Sequence, residues 1–250
     1  MPHAAPAVGV VMPAYNAART IEAAVRSVLA QTHRDFELVV CDDGSTDATR
    51  GILRRIDDPR LRVLESERNQ GQGAARDHAI AATAATWIAV IDADDEWDPR
   101  RLEVLLAAAG GDTGAMVIDD LMQCHDAPDG LVPWRALRGE NAFGEDSPAP
   151  RRVPLEQFVV APRLLIKPLM PGRPLREHGI VHGRRKFGED IEFFLRLAAC
   201  GVGLRYVPQP LYRYRISPGS ATANERNQAA MREALEACAG LEGLAPAVRA

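Results

Sequence analysis

The segment WIAVIDADDEWDP, residues 87–99, decides the fold, because it joins an apolar strand to a dense group of acids. Its apolar part, 88–91, predicts a buried strand. Four acids follow almost without interruption: Asp92, Asp94, Asp95 and Glu96. Carboxylates this close repel one another unless a cation lies among them, and Mg²⁺ or Mn²⁺ takes oxygen ligands that it often shares with substrate phosphates. The segment therefore predicts a metal–diphosphate site at the rim of a sheet. The alternative is an acidic turn with solvated charges.

Strands and helices alternate at short intervals on both sides of this segment. Apolar runs predict strands at 8–12, 36–41, 61–64 and 87–91. Helical spacing predicts helices at 21–29, 48–56, 74–85 and 99–109, the last with Asp98 and Pro99 as its N-cap and first residue. This alternation predicts an α/β fold with a mostly parallel central sheet covered by helices on both faces. Ligands of such sheets bind beyond the carboxyl ends of the strands, where this chain has Tyr15, Asp42, Asp43, Asp92 and Asp94.

The second half of the chain is less regular. Residues 115–119 predict a strand, whereas 120–154 are rich in Pro, Gly and Asp and are interpreted as a binding loop or lid. A helix is predicted between Gly188 and Gly201. Two short strands, at 206–207 and 211–215, and a final helix around 231–238 complete the prediction.

Composition limits the classes of partner. The net charge of −4 gives no general attraction to nucleic acid or to an anionic membrane. The 4 cysteines are widely spaced, without a CxxC pair, which indicates a reduced, cytoplasmic protein. No signal peptide is recognised, and the weakly polar run 79–91 is shorter than the roughly 18 to 20 residues that span a bilayer. Peripheral contact with the inner face of a membrane stays open.

Four ordered blocks of sequence resemble glycosyltransferase family two, whose members have the GT-A fold. The blocks are VVMPAYNAARTIEAAVRSVLAQTHRDFELVVCDDGSTDAT, RNQGQGAARDHAI with WIAVIDADDEWDP, GEDIEFFLRLAACG, and LYRYRISPGSAT. The resemblance covers residues 8–222 except about 120–164. It implies one GT-A domain, 6–222, with a nucleotide-sugar-binding half, 6–111, and an acceptor-binding half, 112–222, followed by a C-terminal helix, 223–250. It also suggests a member that acts in bacterial exopolysaccharide or surface-glycan synthesis.

The resemblance implies inverting transfer of a sugar from a nucleotide-sugar, with a UDP-sugar favoured, to a hydroxyl of a glycan or lipid-linked acceptor. The family's DxD motif is Asp92-Ala93-Asp94 here, extended by Asp95. Asp94 and Asp92 would hold Mn²⁺ or Mg²⁺ against the diphosphate. Asp190 matches the general base, and its position at a helix N-terminus favours the ionised form that a base requires. Taken out of context, Glu189-Asp190 would be ordinary helix-capping residues.

Further positions match contacts with the nucleotide-sugar. Tyr15 matches the residue that stacks on the base, and Asp43 the residue that accepts a hydrogen bond from the base ring. The other positions assigned to this site are Pro13, Asn16, Asn69, Gly71, Arg76, Ala93, Arg213 and Arg215, with Ser220 in the late loop. Arg215 departs from the frequent family pattern, in which a His follows the Tyr-Arg pair. His178 and His182 could touch the acceptor, although a lone histidine is more often structural.

Three other functions stay open. A DxD motif after a strand is also the nucleophile signature of haloacid-dehalogenase-like phosphohydrolases, but it follows the fourth strand here rather than the first. A dinucleotide oxidoreductase is disfavoured, because Pro13-Ala14-Tyr15-Asn16 stands where a GxGxxG would follow the first strand. The third alternative is a related domain that binds nucleotide or glycan without turnover.

Overall fold

The computed structural model describes residues 5–128, 130–137, 149–154, 157, 166–182 and 189–216, and its strands form one ten-stranded sheet. The strands are β1 (Val8–Ala14), β2 (Phe36–Asp42), β3 (Leu61–Glu65), β4 (Trp87–Val90), β5 (Glu96–Trp97), β6 (Ala115–Ala127), β7 (Gly130–Leu137), β8 (Arg151–Val153), β9 (Leu169–Pro171) and β10 (Gly203–Arg215). The helices are α1 (Ile21–Leu29), α2 (Thr49–Leu53), α3 (Gln72–Ala81), α4 (Arg101–Ala109), α5 (Gly172–Glu177) and α6 (Glu189–Ala199). The strand order is β3-β2-β1-β4-β9-β6-β10-β5, with β7 beside β6 and β8 beside β10.

The centre of the sheet is parallel, as predicted. β1 pairs with β2 on one side, with Val8 opposite Phe36, and with β4 on the other, with Val8 opposite Trp87. β2 with β3, and β6 with β10, are also parallel. Every residue of β1 and β4 is buried, as expected for strands that are covered on both faces. The antiparallel strands are β5 and β8, which pair with β10, β7, which pairs with β6, and β9, which lies between β4 and β6.

Helices cover both faces through two separate apolar layers. On one face, α3 and α6 contribute Ala79 and Phe193 to the core. On the other face, α1 and α4 contribute Val25 and Leu105. The chain at the end of α3 lies so close to the sheet that a side-chain carbon at Gly9 would come within 2.7 Å of the Thr83 hydroxyl oxygen. The predicted α/β architecture with two covered faces is therefore confirmed.

The prediction of an irregular stretch over 120–154 is wrong for the part of it that the structure describes. β6 continues to Ala127 and turns into β7, and 151–153 pair with β10 as β8. The apolar pattern did not extend this far because Asp119 and Asp120 lie inside β6, both buried. Arg101 donates to Asp119 at 2.8 and 2.7 Å, and the Tyr206 hydroxyl donates to Asp120 at 2.7 Å. These partners allow acids inside a buried strand.

Two element boundaries also differ from the prediction. The strands expected at 206–207 and 211–215 are one strand, β10, whose register with β6 shifts between Val207 and Tyr212. Pro208 and Pro210 lie at this shift and lack the N–H that a regular ladder needs. α4 begins at Arg101 rather than at Pro99, because residues 96–97 pair with β10 as β5 and keep the chain extended.

Some predictions concern residues outside this description. The predicted C-terminal helix, 223–250, and Ser220 lie beyond the described residues. Among the described helices, none combines the length and the hydropathy needed to cross a bilayer. The boundaries of the single domain, 6–222, remain a proposal.

Candidate active site

Several segments meet at the carboxyl edge of the parallel strands. β1 ends before Tyr15, β2 ends before Asp43, and β4 leads into the acidic turn, residues 92–96. The ends are tied together, since the backbone N–H of Asp43 donates to the carbonyl of Ala14 at 2.8 Å. The Thr20 hydroxyl donates to the carbonyl of Ala93, the middle residue of the DxD motif, at 2.9 Å. The predicted convergence of strand ends is present.

Arg76 lies at the centre of a group of charges that we name the Arg76 cluster: Arg76, Asp92, Lys167, Glu189 and Asp190. Arg76 is 1% exposed. Its guanidinium donates to Oδ1 of Asp92 at 2.8 Å and to Oδ1 of Asp190 at 2.5 Å. Glu189 lies 3.6 Å from the nitrogen that binds Asp190, and Nζ of Lys167 donates to Oδ2 of Asp92 at 2.5 Å. One side chain from α3 thus joins the acidic turn to the first turn of α6.

The charges of the Arg76 cluster set its protonation states. Burial alone would raise the pKa of Asp92, but Lys167 and Arg76 hold it well below its usual range. Burial opposes the charge of Arg76, yet the surrounding carboxylates raise its pKa further. Burial and the neighbouring charge of Asp190 raise the pKa of Glu189 to about 7. Asp92 is therefore a permanent anion, whereas Glu189 changes its charge near neutral pH.

The acidic turn contains one buried and one exposed carboxylate side by side. Asp95 is 1% exposed and accepts hydrogen bonds from the Tyr212 hydroxyl at 2.7 Å and from the backbone N–H of Arg215 at 2.8 Å. Burial and the charges of Asp92 and Asp94 raise the pKa of Asp95 well above its usual range. Asp94 is exposed, and within the described part of the chain no cation pairs with its carboxylate. Asp95 therefore holds the turn, and Asp94 is the acid that faces outward.

This turn fits a divalent ion held by few protein ligands. Both oxygens of Asp92 already accept from Arg76 and Lys167, whereas Asp94 offers its carboxylate to solvent. No group of three His, Cys, Asp or Glu side chains forms a complete metal site among the residues that the structure describes. Mg²⁺ is commonly held by one or two carboxylates together with substrate phosphates and water. Asp94 matches that donor set, and Asp92 lies two residues before it with a lone pair left on each oxygen.

A second group, the Asp43 loop, consists of Asp43 and residues 69–71. The Asp43 carboxylate accepts from the N–H of Gln70 at 2.9 and 3.0 Å and from the N–H of Gly71 at 2.8 Å. The Asn69 side-chain oxygen also accepts from Gly71, at 3.1 Å. Gly71 has a φ of +97°, which side chains other than glycine rarely adopt. Asp43 thus fixes the loop, and because each carboxylate oxygen has more than one lone pair, it can still accept from a ligand.

Tyr15 lies beside this loop on a turn that is held from both sides. The residue is 49% exposed. The next residue, Asn16, has a φ of +49°, donates its N–H to Ser45 at 2.9 Å and accepts from the N–H of Thr46 at 2.8 Å. Pro13 precedes them in β1, opposite Cys41. A fixed backbone with an exposed ring is the arrangement that stacking on a planar ligand needs.

Asp42, which the sequence groups with the other acids at the strand ends, has a structural role. It is 0% exposed and accepts from Arg50 at 2.5 Å and from the N–H of Ser45 at 3.2 Å. Its neighbour Asp43 is also buried, at 2% exposure, but accepts from the backbone of residues 70 and 71 instead of from an arginine.

Arg213 and Arg215, near the end of β10, differ in environment. Arg215 is 8% exposed; its Nε donates to the carbonyl of Asp94 at 2.6 Å, and it also pairs with Asp126 on β6. Arg213 is more accessible, with 38% of its side chain exposed and a distance of 3.8 Å to Asp98. Arg215, the last residue of β10, supports the acidic turn, and Arg213 is the more accessible arginine of the pair.

The two candidate histidines also differ. His178 is exposed at the end of α5. His182 is 8% exposed, and its Nδ1 lies 2.7 Å from a carboxylate oxygen of Asp77. Its Nε2 lies 3.7 Å from Oδ1 of Asp190, and 2% of its side chain is exposed. The expectation that His182 touches the acceptor does not agree with this burial.

Sequence reasoning missed Lys167 altogether and treated Glu189 only as a capping residue. Lys167 stands in the apolar run LLIKPLM, 164–170, within a region that no motif covers. A lysine is almost never buried without a partner, so its position in an apolar run was the available signal. That signal cannot identify Asp92 as the partner, since 75 residues separate the two.

The chain belongs to glycosyl transferase family 2, whose sequence profile matches residues 9–147. The family resemblance is thereby confirmed. Similar proteins include "Succinoglycan biosynthesis protein ExoO" of Rhizobium meliloti, 34% identical over 86% of this chain and 62% of the relative. Another is "UDP-Glc:alpha-D-GlcNAc-diphosphoundecaprenol beta-1,3-glucosyltransferase WfgD" of Escherichia coli, 40% identical over 40% of each chain. The chain spans less than two thirds of these relatives' length.

Solved structures of S. aureus TarS share the fold. The structure of TarS 1-349 in complex with UDP aligns with a TM-score of 0.74 and 19% identity, over 97% of this chain and 68% of that chain. The complex with UDP-GlcNAc aligns with a TM-score of 0.73 and 19% identity, over 93% and 65%. Together with the family match, this likeness confirms the predicted GT-A fold class.

Proposed function

We propose that this chain catalyses inverting transfer of a sugar from a nucleotide-sugar, a UDP-sugar in the first instance, to a hydroxyl of a glycan or lipid-linked acceptor. The observation that carries the proposal is the double contact of Arg76 with Asp92 and Asp190. This double contact links the acidic turn, which would bind the diphosphate through a metal ion, to Asp190, which would act as the general base. A base and a leaving group on opposite sides of one sugar ring are what inversion in a single step requires.

The Asp43 loop and Tyr15 support binding of the nucleotide. Asp43 has lone pairs left to accept from a ring N–H such as that of uracil, and the exposed ring of Tyr15 can stack on the base. The choice of UDP is supported by the TarS complexes with UDP and UDP-GlcNAc and by the relative whose name contains UDP-Glc. The proposed donor site is completed by residues that border the Asp43 loop or support the acidic turn: Pro13, Asn16, Asn69, Gly71, Arg76, Ala93, Arg213 and Arg215.

The acidic turn supports a divalent ion, Mn²⁺ or Mg²⁺, held by Asp94 with Asp92 close by. When bound, such an ion neutralises the negative charge that grows on the diphosphate as the glycosidic bond breaks. Lys167 and Arg76 keep Asp92 ionised, and Arg215, at the end of β10, donates to the backbone carbonyl of Asp94.

Asp190 removes the proton from the acceptor hydroxyl while that oxygen attacks C1 from the face opposite the diphosphate. Arg76 holds Oδ1 of Asp190, which leaves Oδ2 for the hydroxyl, and 32% of the side chain is exposed. The first turn of α6 also favours the anion, because the helix dipole is positive there.

Residues 112–222 are proposed to bind the acceptor, as half of a single domain, 6–222, that precedes a C-terminal helix, 223–250. A glycan or lipid-linked acceptor is supported by relatives named for succinoglycan and for a diphosphoundecaprenol substrate. Such acceptors suit a cytoplasmic enzyme in polysaccharide synthesis with peripheral contact at the inner face of the membrane. A phosphohydrolase is not favoured, because the chain belongs to glycosyl transferase family 2.

The test is an assay of UDP- and GDP-sugars with Mn²⁺ and a panel of glycan and lipid-linked acceptors, together with calorimetric titration of UDP and GDP. We expect Asp190→Asn to reduce transfer at least about 100-fold while UDP affinity stays within about twofold, because the base does not contact the nucleotide. Asp112→Asn is the matched control. This acid also pairs with arginines, Arg152 and Arg205, but it precedes β6 and therefore lies at the amino edge of the sheet, away from the site. Transfer by Asp190→Asn would remove the base role. If neither nucleotide binds, with or without metal, the donor assignment is wrong.

A further inference from the structure

Lys167 reaches the site from the start of β9, whose direction places it at the carboxyl edge of the parallel strands. β9 pairs antiparallel with β4, so the chain that leads into β9 lies beside the end of β4, where the acidic turn begins. The carbonyl of Lys167 accepts from Arg101, which is 0% exposed and also binds Asp119 at 2.8 and 2.7 Å. The backbone of Lys167 is therefore fixed at the edge that holds Asp92.

The ammonium of Lys167 is buried and has more donors than the protein fills. Its side chain is 8% exposed, and one of its three N–H groups donates to Oδ2 of Asp92 at 2.5 Å. Within the described part of the chain, no other atom accepts from it. A buried donor without an acceptor is costly, so the remaining N–H groups point to an acceptor outside the protein. Asp92 is the more open member of the pair, with 20% of its side chain exposed.

Lys167 lies among the acids of the proposed reaction. Its ammonium and the guanidinium of Arg76 bind different oxygens of Asp92, and Arg76 also binds Asp190. Burial opposes the charge of Lys167, yet the charges of Asp92 and Asp190 raise its pKa above the usual value, so the ammonium stays charged. In the proposed reaction, the sugar lies between the diphosphate at the acidic turn and Asp190. Lys167 and Asp92 therefore border the sugar.

We propose that Lys167 and Asp92 recognise one hydroxyl group of the donor sugar, which accepts a hydrogen bond from the ammonium and donates one to Oδ2 of the carboxylate. This rests on the proposed function. A hydroxyl is both donor and acceptor, so it satisfies adjacent positive and negative groups at once. An ionised phosphate oxygen only accepts, and it would face the like charge of Asp92. Lys167 is thus a specificity-determining residue for the sugar, whereas the Asp43 loop recognises the nucleotide.

The test compares a UDP-sugar with analogues that each lack one hydroxyl. The probes are UDP-glucose, or UDP-GlcNAc if the transfer assay selects it, and its monodeoxy analogues, all with Mn²⁺. For one analogue we expect the wild type to lose about 100-fold in kcat/KM, because a hydrogen bond to charged groups is removed. In Lys167→Met this preference falls to about tenfold or less, since only Asp92 still meets the hydroxyl. The preferences for the other hydroxyls stay unchanged, which a general loss of activity would not produce.

Two controls separate this contact from charge and from phosphate binding. Arg205→Met removes a partly buried cation from Asp112 at the amino edge of the sheet, and it should keep every preference of the wild type. In calorimetry with UDP and Mn²⁺, Lys167→Met should bind within about threefold of the wild type, because no bond to the nucleotide is lost. Its affinity for the UDP-sugar should fall about tenfold or more.

Each other outcome overturns a defined part of the proposal. Equal preferences in Lys167→Met and the wild type, or a wild type that accepts every monodeoxy analogue as well as the parent sugar, would remove the hydroxyl contact. A loss of UDP affinity as large as that for the UDP-sugar would assign Lys167 to a phosphate instead. If the wild type transfers from neither UDP-sugar, the donor assignment of the proposed function is wrong. If Lys167→Met does not fold, Lys167→Arg keeps the charge beside Asp92, and its larger head group should displace the hydroxyl and reduce the same preference.

Discussion

The Arg76 cluster and the Asp43 loop border the same site but are built in opposite ways. The cluster is formed by charged side chains from separate elements, and its central arginine is 1% exposed. The loop is formed by one carboxylate, 2% exposed, that accepts from the backbone of a short turn at the surface. A buried charge needs another charge as its partner, because water cannot reach it. A surface turn, in contrast, keeps its shape through local hydrogen bonds. We infer that the cluster carries the chemistry and the loop carries recognition.

The most severe test of this contrast is Arg76→Met. It removes the buried cation that Asp92 and Asp190 share and leaves both carboxylates without it. We expect a loss of about 3 to 5 kcal/mol in the free energy of unfolding and no measurable transfer. Urea unfolding followed by circular dichroism would measure it. The control is Arg26→Met, whose exposed pair with Glu22 should contribute less than about 0.5 kcal/mol. A loss of under about 1 kcal/mol in Arg76→Met would show that the cluster is not held by this arginine.

Metal removal tests the exposed end of the acidic turn. We expect EDTA to reduce transfer about 100-fold or more, because the charge on the leaving diphosphate is then unneutralised, and added Mn²⁺ to restore it. Asp94→Asn should raise the Mn²⁺ concentration that gives half-maximal activity about tenfold or more, because it removes the exposed carboxylate of the proposed site. Full activity in EDTA would contradict the metal assignment while leaving Asp190 untouched.

Glu189→Gln tests whether burial inside the cluster has an energetic cost. The pKa of Glu189 is raised to about 7 in the folded protein, from about 4.3 in an unfolded chain. The folded state therefore binds this proton more tightly, and the residue's contribution to stability falls as the pH rises from about 4.3 through 7. We expect Glu189→Gln to be more stable than the wild type by about 1 to 3 kcal/mol at pH 8 and equal to it near pH 4.5. Urea unfolding across this range measures the difference. A constant difference at all pH values would contradict the assignment.

Asp43→Asn gives the smallest expected change and tests the loop. It keeps one acceptor oxygen but loses the charge that holds the turn and would face the base. We expect UDP affinity to fall about tenfold, with kcat at saturating donor within about threefold of the wild type. Calorimetry with UDP and steady-state kinetics would measure both. A fall in kcat as large as that of Asp190→Asn would contradict the division between recognition and chemistry.

The sequence was most informative where the chain repeats a local pattern. Apolar runs and helical spacing predicted β1 to β4 and the helices between them, with boundaries wrong by a few residues. The pattern failed over β6 and β7, because strands there contain acids whose partners lie elsewhere in the chain. It failed at β5 because two residues become a strand only when β10 is beside them.

The same division holds for the site. By itself, the sequence determined the family, the α/β class and the acids at the strand ends, because these depend on motifs and on the order of local elements. Only the tertiary structure decided which acids are paired. Asp92 and Asp94 look alike in the sequence, yet one is bound by two cations and the other is exposed. Arg76 meets Asp190 across 114 positions, and Lys167 meets Asp92 across 75. Such contacts depend on how sheet and helices pack, which no local pattern records.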